Sequence, residues 1–247
     1  MKKPANTGLH HGVPAAALVS GPQVALLAGL GALGSLATNI ILPAFPDMAA
    51  SLDVTERELG LTLSSFFIAF GLGQLFVGPL SDRFGRKWPL LAGVAVFVAG
   101  SAICVLASNL EIMIAGRILQ ALGACATAVL SRAIARDLYE GEALARVLAM
   151  VMVAMAAAPG FSPLIGSALN HIFGWQRIFF GLAVFAVLIV WIYAANIGET
   201  RPALASRPPS LSQIMLAYGQ LARDGRFIFP ALSVGLILGS LYEGYET

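Results

Sequence analysis

The sequence predicts an all-helical integral membrane protein of about seven helices, since each spanning helix needs about 20 mostly apolar residues. Three observations carry this. First, the chain is 58% hydrophobic and only 11% charged, where soluble domains run at roughly 25% charged, and its mean hydropathy is +0.82. Second, the charges are clustered and leave uncharged windows at 4–46, 59–81, 88–110, 118–131, 147–176, 178–198 and 227–242. Third, the positive charges alternate between loops. With a cytoplasmic N-terminus, twelve of the fifteen Lys/Arg fall inside: Lys2, Lys3, Arg83, Arg86, Lys87, Arg132, Arg136, Arg146, Arg201, Arg207, Arg223 and Arg226. Arg57 and Arg177 fall outside and Arg117 within a helix. This positive-inside bias predicts a cytoplasmic N-terminus.

The elements follow in order. The windows predict helices at 24–42, 59–80, 89–108, 112–133, 147–168, 178–196 and 227–242, the fourth needing Arg117 to reach spanning length. Lys2 and Lys3 before an apolar stretch resemble a signal peptide, but six further hydrophobic windows make a retained first helix the better reading. The domain limits are then a cytoplasmic tail at 1–22, a six-helix bundle at 23–197, a cytoplasmic linker at 198–226 and the truncated start of a second bundle at 227–247. Pro202, Pro208 and Pro209 fall in the linker, and residues 210–222 suit an amphipathic surface helix. Small residues (Gly31 and Ser35, Gly71 and Gly78, Gly116 and Gly123) suit close helix packing, because lipid supplies no hydrophobic drive between helices. Cys104 and Cys125 fall within helices and read as small packing residues.

The most ordered motif is GPLSDRFGRK at 78–87, after the second helix. A plain positive-inside loop accounts for Arg83, Arg86 and Lys87 but not for the full pattern with Gly78, Asp82 and Gly85. Gly78 permits close helix approach and Gly85 a tight turn; Asp82 suits an arginine partner or a helix N-terminus. The segment resembles the loop 2–3 signature of the major facilitator superfamily. TNIILPAFPDMAASL, RILQALGACA, SRAIARDLY, APGFSPLIGS and FGWQRIF follow in the matching order, and together they resemble the Bcr/CflA branch of drug:proton antiporters over about residues 30–200. The resemblance implies a major-facilitator-like N-terminal bundle of six helices plus a partial seventh, with the C-terminal half of a twelve-helix protein missing. It makes 78–87 a conformational latch between the halves.

Arg117 lies about 9 Å along its helix from Glu111 at 1.5 Å per residue. The residues alone leave two readings open: snorkelling to the outer headgroups, or facing a central cavity beside Gln120 on the next turn. The resemblance matches both Arg117 and Gln120 and implies that Arg117 responds to protonation and substrate entry. Asn39 stands where relatives commonly carry an acid, and an amide carries no proton; it reads as a substrate-contacting amide or an interhelical hydrogen bond. Pro159, Pro163 and Gly166 read as a proline kink or, by resemblance, as the exporter hinge of helix 5. Met155 offers a soft pocket wall or, like Met150 and Met152, a lipid contact. Gln74 is a further pocket candidate or an interhelical hydrogen bond.

The sequence lacks His-Glu-x-x-His and the phosphate-cradling Gly-x-x-x-x-Gly-Lys, which argues against an enzyme or an ATP-driven pump. The resemblance implies efflux of small amphipathic, drug-like compounds from the bacterial inner membrane by alternating access as the expected function. No cofactor or metal is expected, the resemblance implies the proton gradient as energy source, and the partners are substrate, lipid and the missing half, with no nucleic acid. A uniporter or metabolite exporter of the same fold, or a non-transporting half-protein, are the alternatives.

Overall fold

The computed structural model describes residues 20–200 continuously and, beyond them, positions 216, 219, 220, 224–226, 229 and 233. The chain divides into two compact units, Met1–Ala203 and Leu204–Thr247. In the second, the Arg226 N–H donates to the Asp224 carboxylate and the Ser233 hydroxyl to the Phe229 carbonyl. Apart from these positions, the expected seventh helix and most of the expected linker lie outside the described residues, as does nearly all of the N-terminal tail.

The first unit runs α1 (Gly21–Asn39), a 3-10 turn (Leu42–Ala44), α2 (Phe45–Leu52), α3 (Glu56–Leu59), α4 (Leu61–Phe84), α5 (Lys87–Val105), α6 (Leu110–Leu138), α7 (Gly141–Phe173) and α8 (Gln176–Asn196). By length and hydropathy these make six candidate membrane spans among the described residues, the first joining α1 to α2 and the second α3 to α4.

Local chemistry sets the ends. α1 stops at Asn39 rather than reaching Leu42, because Pro43 and Pro46 cannot donate to the preceding turn; Pro46 instead occupies the first turn of α2, where a missing N–H costs nothing. α3 opens with a capping box in which the Glu58 N–H donates to Thr55 Oγ1 and the Thr55 N–H to Glu58 Oε2. The Asn109 side chain caps α6 by accepting from the Ile112 N–H at 2.9 Å. Gly85 turns the chain from α4 into α5 with φ +85°, a conformation that favours glycine.

Several helices outrun their uncharged windows. α4 continues to Phe84, α6 to Leu138, and α7 fills Gly141–Phe173. Asp82, Arg83, Arg136 and Asp137 therefore sit in terminal helical turns, beyond the helices expected at 59–80 and 112–133. A helix longer than the hydrocarbon layer projects its last turn among headgroups, where such charges are solvated or paired.

α5 and α6 meet backbone to backbone. A Cβ on Gly100 would lie 2.7 Å from the Gly116 carbonyl oxygen, one on Gly123 would lie 2.5 Å from the Gly93 carbonyl oxygen, and one on Gly116 would meet Cys104. Gly93 and Gly100 on α5 and Gly116 and Gly123 on α6 share a seven-residue spacing, so each pair returns to the same face after two turns. Gly31 of α1 packs instead on Val151 of α7. Gly71 and Gly78 differ from these: among the described residues no atom of another helix lies within 4 Å of a Cβ built on either. They sit on α4, which with α7 is among the least enclosed spans, so no described helix approaches them.

Candidate functional site

The polar interior forms where α1, α4, α5 and α6 meet. Arg117 of α6 is fully buried. Its Nη1 donates to the Ala37 carbonyl of α1 at 3.1 Å and to Gln120 Oε1. Gln120 Nε2 donates to Ser101 Oγ of α5 at 2.8 Å, and that hydroxyl donates on to the Phe97 carbonyl. The Phe66 ring of α4 covers the guanidinium, with Cζ 4.3 Å from its centroid, a cation–π contact that substitutes in part for water. Nε and Nη2 have no hydrogen-bond partner, and no Asp or Glu among the described residues forms an ion pair with Arg117. The side chain therefore neither snorkels to headgroups nor opens on a cavity in this conformation. The close α5–α6 approach at Gly100 and Gly116 brings Ser101 and Gln120 together and so builds its pocket.

Asn39 is buried near this depth, two residues along α1 from the Ala37 carbonyl. Its Nδ2 donates to the Ser35 carbonyl at 2.8 Å and to Thr38 Oγ1 at 3.1 Å, bonds that stay within α1 and do not bridge helices. Gln74 is half-buried and makes no hydrogen bond to another helix among the described residues. Met155 packs on Gly31 of α1 and accepts from Ser35 through its carbonyl. The structure thus joins Arg117 and Gln120, sets Asn39 close by, and leaves Gln74 and Met155 outside the network.

α7 stays helical through Pro159 and Pro163. Pro159 cannot supply the N–H that would bond the Met155 carbonyl one turn back. Ser35 of α1 takes over, donating its hydroxyl to that carbonyl at 3.0 Å. Gly166 is buried where α7 crosses the end of α1, and a Cβ there would collide with the Ile40 carbonyl.

At the other end of the bundle Arg86 organises a charged cluster. Its Nε and Nη2 reach the two Asp137 oxygens at 2.8 and 3.4 Å, and Nη1 reaches Asp82 at 2.7 Å and Ser81 Oγ at 2.8 Å. Of the two roles open to Asp82, the structure selects the arginine partner. Burial alone would lower the Arg86 pKa; hydrogen bonds and charge from Asp137 and Asp82 outweigh it and hold it above the ordinary arginine value. Glu199, just past α8, accepts the Arg86 and Lys87 backbone N–H groups at 2.8 and 3.2 Å. Thr200 donates to Asp137 at 3.2 Å. Arg83 lies over the Phe84 ring, 5.3 Å from its centroid.

The Major Facilitator Superfamily model matches residues 27–246. The chain belongs to this superfamily. It is 36% identical over 219 residues to the uncharacterized MFS-type transporter YdgK of Bacillus subtilis, covering 88% of this chain and 54% of that one. It is 31% identical to multidrug resistance protein D of Escherichia coli over 78% of this chain and 49% of that one. Its fold resembles the crystal structure of the human organic anion transporter MFSD10 with a TM-score of 0.62 at 18% identity, over 82% of this chain and 56% of that one. The chain spans about half the length of the curated relatives it matches. Membership makes it a multi-pass membrane protein of a transporter family, not an enzyme, and the relatives' names agree with the drug-resistance branch that its motifs resemble.

Sequence reading of this superfamily member missed Asp137, Glu199, Thr200 and Ser81 as members of the Arg86 cluster. Asp137 was visible in SRAIARDLY, but its partner lies 51 positions away. Glu199 carried only the signal of an acid directly after an apolar span.

Proposed function

We propose that this chain forms the N-terminal half of an efflux transporter that exports small amphipathic compounds by alternating access against a second bundle. The observation that carries the reading is Arg117, sealed among α1, α4, α5 and α6 with two of its nitrogens, Nε and Nη2, unpaired. A buried cation without a counter-charge costs several kcal/mol, of order 3 even on lenient insertion scales, and intramembrane ionisable groups mark substrate or ion pathways. Arg117 then responds to charge that arrives: an anionic or polar substrate group, or a carboxylate of the second bundle. The Arg86–Asp82–Asp137 cluster acts as the cytoplasmic latch, the Pro159–Gly166 stretch of α7 supports the export direction, and the N-terminus is cytoplasmic. Half-length coverage of the relatives and the multidrug name of one of them support the assignment.

The test is drug accumulation in cells producing the intact native protein, with Arg117→Ala beside the unmodified form. Export is lost while membrane insertion persists; unimpaired export by the variant would refute the role of Arg117. Asn39, an amide in the place of an acid, favours a second reading in which this half is not proton-coupled. An uncoupler separates the two: export that survives a collapsed proton gradient supports the uncoupled reading.

A further inference from the structure

An apolar cavity lies between α1, α7 and α8, and Arg117 is not among the residues lining it. It encloses about 460 Å³, and every residue lining it is apolar. Small residues line the space: Gly29 and Ala32 on α1, Ala154 on α7 and Gly181 on α8, and a Cβ on Gly181 would meet nothing within 4 Å. The lips are Phe161, Ile165 and Phe185, all exposed. Along α1 it extends from Ala28 to Ile40, about 18 Å at 1.5 Å per residue. One leaflet of hydrocarbon is about 15 Å deep, half of the bilayer core. The groove therefore has the length of one acyl chain between headgroup level and midplane.

Its outer end is marked by polar groups. Ile40, Leu169 and Ile178 line it there, next to Asn170, His171 and Arg177. Asp47, the acid at this rim, already accepts from Asn170 Nδ2. Arg177 is exposed and makes no ion pair or side-chain hydrogen bond among the described residues. It lies four residues before Gly181 and eight before Phe185, and so on the same stripe of α8 as two lining residues. The rim thus offers an unpaired cation at the depth where a lipid phosphate sits.

We infer that this groove is a phospholipid site, with one acyl chain lying along Gly29, Ala32, Ala154 and Gly181 and the phosphate held by Arg177. The complementarity of charge at the rim selects a phosphate-bearing lipid over an uncharged or cationic amphiphile.

The experiment uses the full 247-residue chain in phosphatidylcholine vesicles doped with either of two photoreactive probes. One is a phosphatidylglycerol with a diazirine in its acyl chain, the other a diacylglycerol with the same chain and no phosphate. Labelled peptides are mapped by mass spectrometry. Phosphatidylglycerol labels the α7 and α8 segments facing the groove, and diacylglycerol labels them about fivefold less, the ratio expected for one cation near the membrane surface. Gly181→Leu fills the groove; because a Cβ there meets nothing within 4 Å, the variant folds without backbone clash, and it abolishes groove labelling. Gly71→Leu, on an equally open glycine of α4, leaves it intact. Arg177→Gln brings phosphatidylglycerol labelling down to the diacylglycerol level. Groove labelling unchanged by Gly181→Leu would reduce the site to bulk boundary lipid. Absence of groove labelling in the unmodified chain would mean that protein covers the groove, and equal labelling by the two probes would remove the phosphate from the site. Each of these results overturns the inference.

Discussion

The Ser35 hydroxyl of α1 bonds the Met155 carbonyl of α7, the acceptor that Pro159 leaves without its intrahelical donor. In hydrocarbon an unsatisfied carbonyl has no water to turn to, so the proline of one helix and the serine of another form a functional pair. This is how α7 accommodates Pro159 without breaking.

Ser35→Ala removes that donor and lowers stability by about 1 kcal/mol, within the range for hydrogen bonds between membrane helices. In a Pro159→Ala background the backbone N–H returns, and the same substitution costs little. Thermal unfolding in detergent across the four proteins measures the coupling; additive losses would contradict the pairing.

Asp137→Asn removes the more buried of the two carboxylates that Arg86 pairs with, in a pair whose side chains are only 12% and 10% exposed, and leaves Asp82 as its remaining charged partner. Leaving one member of a largely buried pair behind costs about 3 kcal/mol when fully buried, and less here because both groups reach the surface. Arg86→Lys loses the two-pronged contact and is destabilised too. A melting temperature that stays unchanged for both variants would count against the cluster as a structural tie.

Glu199→Ala frees the first N–H groups of α5, a loss of about 1 kcal/mol by analogy with helix caps. Amide hydrogen exchange at Arg86 and Lys87 accelerates while exchange in α6 does not. Glu199→Gln keeps an acceptor and shows a smaller effect. Equal protection in all three proteins would argue against capping.

Gly100→Ala drives a methyl into the backbone of α6, where no flexible side chain can yield, and costs about 1–3 kcal/mol as an overpacked site. Gly71→Ala enters open space and gains up to about 1 kcal/mol of helix propensity. Chemical or thermal denaturation of the two variants gives shifts of opposite sign; a matched pair of small shifts would mean that α5 and α6 are looser than described.

Much of the bundle could be read from charge-free windows, because lipid leaves a chain only a few options and hydropathy records them. The ends could not. Pro43 and Pro46 stopped α1 earlier than its apolar window, while α6 ran past its expected end at Ala133 to Leu138, where Asp137 is paired with Arg86 at headgroup level. The Arg117–Gln120 pair was legible, being one turn apart on a single helix. Ser101 and Phe66 were not, since nothing in a local window tells which residue of another helix will face a guanidinium. Likewise Gly71 and Gly78 look like Gly116 and Gly123 in sequence, and only the neighbouring helix distinguishes them.

The glycine contacts between α5 and α6 have a mechanical consequence. Side-chain interfaces can creep, because rotamers rearrange as one helix slides on another. Peptide planes in direct contact have nothing to rearrange, and a shift by one residue would drive side chains such as Phe97 and Gln120 into the facing backbone. These two helices therefore have a single register and pack as one rigid pair. The Gln120–Ser101 bond on their seam is held by that register, whereas the Arg117 contacts to Ala37 of α1 and Phe66 of α4 reach beyond it.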